Sequence, residues 1–153
     1  MQLHIIAASN RQPEWAEAAF AGFAKRFVSP IRLKYTQVRL SRDAAVERRK
    51  MAEGERLLAA AGRSAVIVAL HEAGQCWTTQ RLAREFERWM SESADPCLLI
   101  GGPDGLSADV LSAATLQWSL SRLTLPHALA RVVVVEALYR ASSLLSGHPY
   151  HRA

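Results

Sequence analysis

Apolar positions along the chain switch between two spacings, and the switches mark out its elements. Leu3 to Ala8 is a short apolar run that opens into Asn10 and Pro13, which predicts a first strand. From about Pro13 to Phe27, Trp15, Ala19, Phe23 and Phe27 recur every four residues, the spacing of one helix face, until Pro30 breaks the pattern. Ile31, Leu33, Tyr35 and Val38 come close to alternating, as a half-buried strand does. Asp43 is placed to cap a long helix that runs through Ala61 and stops at Gly62. Ala65 to Leu70 is apolar at every position, the mark of a strand covered on both faces. A helix beginning at Thr78 or Thr79 turns Leu82, Phe86 and Trp89 inward. A buried strand, Cys97 to Ile100, then runs straight into Gly101-Gly102-Pro103-Asp104-Gly105. A short helix over Ser107 to Ala113 and a strand over Leu116 to Leu120 follow.

The final long segment holds two conflicting signals. Val132 to Val135 is a β-branched run, which favours a strand. Against it, Pro126 suits the first position of a helix, and Leu129, Val133, Ala137, Ala141 and Leu145 recur every four residues up to Gly147. Such a length suits a helix, and its apolar residues surround much of the axis, so it reads as buried or as an interface. Strand and helix therefore alternate five times, which predicts an α/β fold with a mostly parallel sheet. No linker, repeat or low-complexity stretch divides the chain, and its 153 residues are expected to form one domain, 1–153.

Composition narrows the classes. Half the residues are hydrophobic and 22% are charged, enough for a real core and against global disorder. No apolar run approaches the roughly 18 residues of a membrane span, and the N-terminus reads as a strand and not as a signal peptide. Cys76 and Cys97 make no disulfide framework and have no metal-ligand spacing; two reduced thiols in a cytoplasmic protein are expected. The net charge of +5 is unevenly placed: residues 1–63 hold 12 Lys or Arg against 6 Asp or Glu, the rest 7 against 8. Lys25-Arg26, Arg32, Lys34, Arg39, Arg42 and Arg48-Arg49-Lys50 point to a polyanion, most commonly nucleic acid. Equally, Glu47, Glu53 and Glu55 lie among these bases and can neutralise them on a solvated helix face.

Ligands of parallel sheets bind beyond the carboxyl ends of the strands, and three exits stand out. They are His71-Glu72-Ala73-Gly74 after Leu70, the glycine turn after Ile100, and Ser121-Arg122-Leu123-Thr124-Leu125-Pro126-His127 after the last strand. The glycine turn is either a plain reversal or a place where a ligand meets bare backbone. Neither a Walker loop nor G-x-G-x-x-G is present, and G-x-S-x-G is absent. His148 and His151 have H-x-x-H spacing but lack two further ligands, so no metal is expected. Beyond Gly147 lies a tail of His148, Tyr150, His151 and Arg152, rich in donors, proton carriers and a stacking ring.

Taken together, Leu98 to Ser107, Trp118 to His127, Arg131, Glu136 to Ala141 and His148 to Arg152 resemble the ribosomal RNA large subunit methyltransferase H family over essentially the whole chain. The resemblance implies a SPOUT-type α/β fold with helices on both sheet faces and a C-terminal trefoil knot that makes the S-adenosylmethionine pocket. It implies a homodimer that methylates the N3 position of a pseudouridine in 23S ribosomal RNA of the large subunit, within the assembled ribosome. By position it assigns cofactor binding to Leu70, Gly102, Ser121, Arg122, Leu123, Thr124, Leu125 and Pro126. It assigns the substrate side to Tyr139, Arg140, Tyr150, His151 and Arg152. Nothing is drawn from Cys76 or His71-Glu72. Two other classes fit the residues alone: a non-catalytic RNA-binding or ribosome-assembly module, and an α/β enzyme that uses the glycine turn as an anion nest.

Overall fold

The computed structural model describes residues 1–64 and 66–152, with the side chains of His151 and Arg152 excepted. The expected strand start at Ala65 and any side-chain role of His151 and Arg152 lie outside the described residues. Strands β1 (Gln2–Ala8), β2 (Arg32–Val38), β3 (Ile67–Cys76), β4 (Cys97–Ile100) and β5 (Leu116–Ser119) alternate with helices α1 (Glu14–Ala24), α2 (Val46–Ala61), α3 (Thr79–Ser91), α4 (Ala108–Ala113) and α5 (His127–Leu145). The described strands form one parallel sheet in the order β2-β1-β4-β3-β5.

Two cores flank this sheet, and the strand alternation divides residues between them. Leu3, Ile5, Ala7, Val68, Leu98 and Ile100 face α1, α3 and α5, where Phe20, Phe86, Trp89, Val134 and Leu138 meet them. Ile6, Ala8, Ala69, Cys97 and Leu99 face α2 and α4, against Leu57, Leu106 and Val110. The unbroken apolar runs of residues 5–8 in β1 and Cys97–Ile100 in β4 are thus what burial on both faces requires.

Several helix phases differ from the periodicity. α1 buries Ala16 and Phe20, while Trp15 is 56% exposed. Apolar residues lie on both sides of the expected stripe, so periodicity could not choose between them. α5 buries Arg131, Val134, Val135, Leu138 and Ala141, leaving Leu129 at the surface; a helix apolar nearly all round carries little phase information. Asp43 does not cap α2. Its carboxylate accepts from the Ala45 N–H at 2.9 Å in the turn before the helix, whose first residue is Val46. Thr78 does cap α3, accepting from the Arg81 N–H at 3.1 Å. β3 does not end at Leu70: it bulges and rejoins β5 with Gln75 opposite Trp118 and Cys76 opposite Ser119. The bulge brings Gly74 so near β5 that a Cβ there would lie 2.8 Å from Gln117 backbone.

Arg131 is the one fully buried cation among the described residues. Its guanidinium lies 2.9 Å from the Glu17 carboxylate of α1, donates to the Tyr35 hydroxyl of β2 at 2.8 Å, and covers the rings of Phe20 and Tyr35 at 4.9 and 5.1 Å. This arrangement predicts an asymmetry. Glu17→Ala strands a buried charge and should cost about 3–5 kcal/mol. Arg131→Met keeps the volume, and the 43% exposed Glu17 side chain stays hydrated, so it should cost less than about 1.5 kcal/mol. Urea denaturation of both variants checks the order.

Candidate functional site

Connections leave β3 and β4 towards opposite faces of the sheet, α3 to one side and α4 to the other. A crevice therefore opens beyond their carboxyl ends, the place where open α/β sheets take ligands. It holds a cavity of about 410 Å³, within the roughly 300–1,000 Å³ of small-molecule sites. Leu70 and Ile100 close its floor, and Trp118, Leu120, Leu123 and Leu125 supply apolar wall. Polar groups come from the backbone of Gly101 to Gly105 and from Ser119, Ser121, Thr124, His71, Glu72, Lys50 and His127.

The glycine turn is shaped by contacts on its far side. Gly105 sits at φ +88° and its N–H donates to the Gly102 carbonyl at 3.0 Å, while Gly101 lies so close to Gly105 that a Cβ would be 2.7 Å from its backbone. Gly102 does not leave room on the cavity side, contrary to what a bare-backbone reading expects. Its missing Cβ points to α2, where it would lie 2.6 Å from Glu53 Oε2 and 2.7 Å from Leu40 Cδ2. Arg49 of α2 clamps the turn by two bonds to Asp104, at 2.7 and 3.3 Å, and also donates to the carbonyls of Asp43 and Ala44. The Arg49 bond holds the Asp104 carboxyl below its ordinary range, and Arg49 is raised in turn. The second loop braces itself: Ser121 Oγ accepts from the Leu123 N–H at 2.9 Å, and Ser119 Oγ donates to the Ser121 carbonyl at 2.9 Å. Burial pulls the His127 imidazole below its usual range, with the backbone of Gly101 and Ala8 acting the other way.

Of the residues singled out in the sequence, Leu70, Gly102, Ser121, Leu123, Thr124 and Leu125 meet at this cavity. Arg122 faces a neighbouring groove, and Pro126 caps α5 at the surface. Tyr139, Arg140 and Tyr150 gather elsewhere. Tyr139 is twelve residues beyond His127 on α5, about 18 Å along the axis. There the Tyr139 and Tyr150 rings lie 4.9 Å apart, Arg26 covers Phe23, Tyr139 and Tyr150, and Arg140 pairs with Glu136 at 2.7 Å. The Tyr150 hydroxyl donates to Glu136 at 3.1 Å, and its pKa is raised by burial first and then by that carboxylate. Lys50, His71, Glu72, Ser119 and His127 line the cavity without having been singled out as site residues. His71 and Glu72 stand in the strand exit after Leu70 and His127 ends the exit after the last strand, while Lys50 appears only in the basic cluster Arg48-Arg49-Lys50. Among the described residues no three His, Cys, Asp or Glu side chains gather as metal ligands, and no helix is long and apolar enough to cross a membrane.

Comparison with known proteins gives a consistent picture. A family model described as "Predicted SPOUT methyltransferase" matches residues 1–151. The chain is similar to the crystal structure of the SpoU methyltransferase AviRb from Streptomyces viridochromogenes in complex with the cofactor AdoMet, at 15% identity and a TM-score of 0.49. That match covers 92% of this chain and 57% of AviRb, so this chain spans little more than half of that protein. It is also similar to TrmJ from Z. mobilis ZM4, at 12% identity and a TM-score of 0.52, over 94% of this chain and 70% of that one. The TrmJ likeness speaks for the fold alone.

Two predictions test the turn. Gly102→Ala must displace Glu53 or Leu40 and should destabilise by about 1–3 kcal/mol, read as a lower midpoint in urea. Asp104 has a depressed folded-state pKa, so the clamp contributes in full above the unfolded value of about 4. It is lost as pH falls through the lower folded value. Asp104→Asn should therefore be less stable at neutral pH and lose less stability on acidification than the parent, in thermal melts between these limits.

Proposed function

Because the chain belongs to the SPOUT methyltransferase family, we propose that it methylates RNA using S-adenosylmethionine, and that its target is the N3 nitrogen of a pseudouridine in 23S ribosomal RNA, met in the assembled ribosome. The observation that carries this reading is the cavity beyond β3, β4 and β5, where the glycine turn and the Ser121 to Leu125 loop meet. Both segments belong to the stretches that resemble the ribosomal RNA large subunit methyltransferase H family. The fold reading extends to that family's C-terminal knot.

The residues present suit the cofactor. Two loops offer backbone groups to a nucleoside edge while Leu70, Leu123 and Leu125 supply apolar contact. Arg122 and Pro126 complete the loop that would close over it. When bound, S-adenosylmethionine supplies an electrophilic sulfonium methyl, so the protein's work is positional and protonic. It must hold the target nitrogen in line and take up its imide proton. Leu123, 76% exposed on the cavity rim, is placed to be covered by ligand.

Tyr139, Arg140, Tyr150, His151 and Arg152 form the substrate side in this reading. Within one chain the described part of this set stands about 18 Å along α5 from the cavity's helix end. A second copy therefore brings its tail to the cavity, in a cytoplasmic homodimer. In this arrangement Tyr150 and Arg140, both engaged with Glu136, position the tail, which leaves His151 as the group for the proton.

Titration calorimetry with S-adenosylmethionine should give saturable binding, and no heat of specific binding would overturn the reading. Sedimentation at micromolar concentration should show a dimer. Deleting residues 148–153 should leave both unchanged while methyl transfer to ribosomes falls by at least about 10²–10⁴-fold, the usual worth of a general base.

A further inference from the structure

Beside the cavity runs a second, more open groove of about 690 Å³, built from the β3 bulge, the start of α3 and the loop after β5. Glu72 and Ser119 line both spaces, so the groove leads into the cavity. Its lining holds one aromatic ring, Trp77, beside Arg81, Arg84 and Arg122. Trp77 stacks on Trp118 at 5.2 Å and 9°, Trp118 being wall of the cavity, and Arg81 lies 5.6 Å over the Trp77 ring. Arg81 is tied to the buried Glu85 at 2.8 Å, a carboxylate that also pairs with Arg88 at 2.9 Å. Arg84 and Arg122 also line the groove, and neither has an ion pair or hydrogen bond among the described residues. Glu72 is the one carboxylate in the lining.

Two uncommitted guanidinium groups beside Trp77 match the chemistry of a single-stranded polynucleotide, which offers phosphates to arginine and bases to an aromatic side chain. We propose that this groove is the path by which an RNA strand enters the cavity, with Arg84 and Arg122 gripping its backbone. The inference rests on the methyltransferase reading and adds the surface that delivers its substrate. It departs from the charge asymmetry of the sequence, which places the basic excess before residue 64. Many of those bases are engaged: Arg48 with Asp43, Arg49 with Asp104, Lys50 with Glu47, and Arg56 with the Arg39 carbonyl.

The groove contains its own reporter. Cys76 lines it and is exposed, whereas Cys97 is buried and its thiol is pushed up in pKa by that burial. Alkylation of Cys76 by neutral iodoacetamide, followed by mass spectrometry on the full-length protein, should slow several-fold when a polyuridine oligonucleotide is bound. The Arg84→Ala/Arg122→Ala variant should lose this protection, and the slope of log affinity against log salt should shrink by about 1.4, near 0.7 for each single-strand phosphate released. The Arg84→Ala single variant, on α3 and away from the cofactor loop, should match the parent in S-adenosylmethionine affinity while its slope shrinks by about 0.7, and circular dichroism shows that the double variant is folded. RNA that binds while leaving Cys76 at its free rate overturns the proposal, as does an unchanged slope in the double variant. Equal protection by polyglutamate of the same charge overturns it too, by making the groove a general anion surface. A parent protein that fails to bind S-adenosylmethionine but protects Cys76 with RNA would sink the methyltransferase reading alone.

Discussion

A guanidinium with no contact with water is tolerated only where an opposite charge and polar or π partners surround it, and Arg131 finds these at one place in this fold. Glu17 supplies the opposite charge from α1, Tyr35 supplies an oxygen from β2, and the rings of Phe20 and Tyr35 supply π faces. Sliding or turning α5 by one residue would leave the charge in the apolar layer. That constraint sets everything α5 carries. His127, one turn back, and Ala130, the residue before Arg131, close one side of the cavity, and two turns on is the face that holds the tail.

The cavity depends on α2 in a comparable way. Arg49, Lys50 and Glu53 follow one another along a helix face, and each addresses the glycine turn differently. Arg49 clamps Asp104, Lys50 forms cavity wall, and Glu53 fills the space a side chain on Gly102 would need. Glu53 is itself anchored, accepting from the Ser41 N–H at 2.9 Å. Charges that look in the sequence like a solvated or polyanion-binding face are therefore partly internal fittings. This is also why a count of basic residues is a poor map of a nucleic-acid surface here.

Much of the fold was legible because burial on both faces forces apolar residues at every position of a strand. Residues 5–8 of β1 and the whole of β4 were plain for that reason, and α3 was plain because its Thr78 cap and strongly one-sided pattern agree. The phases of α1 and α5 were hidden by apolar residues on more than one side. The extension of β3 past Leu70 was hidden by its composition: His71-Glu72-Ala73-Gly74 reads as a loop, and only pairing with β5 makes it strand. At the site, the segments Gly101 to Gly105 and Ser121 to Leu125 were visible as unusual strand exits. Lys50 was not, because it reaches the cavity from α2, whose own pattern says nothing of which strand exit it faces.

The two ends of α5 differ in their electrostatics, and the difference bears on how labour is divided. At the N-terminal end, burial holds His127 below its usual pKa, so it stays neutral at the cavity wall. At the C-terminal end, Glu136 draws in both Arg140 and the Tyr150 hydroxyl, and Arg26 lies across the rings above. A phenol whose pKa is raised keeps its proton near neutrality and donates it in a hydrogen bond. An arginine paired at 2.7 Å has its charge answered locally. Both groups are thus suited to fixing a chain segment and poorly suited to taking a proton, so in the proposed mechanism proton transfer falls to whatever the segment presents beyond Tyr150. A tail moored by a phenol on Glu136 and by the guanidinium groups of Arg26 and Arg140 over its ring is a preorganised one, and preorganisation is what in-line transfer demands.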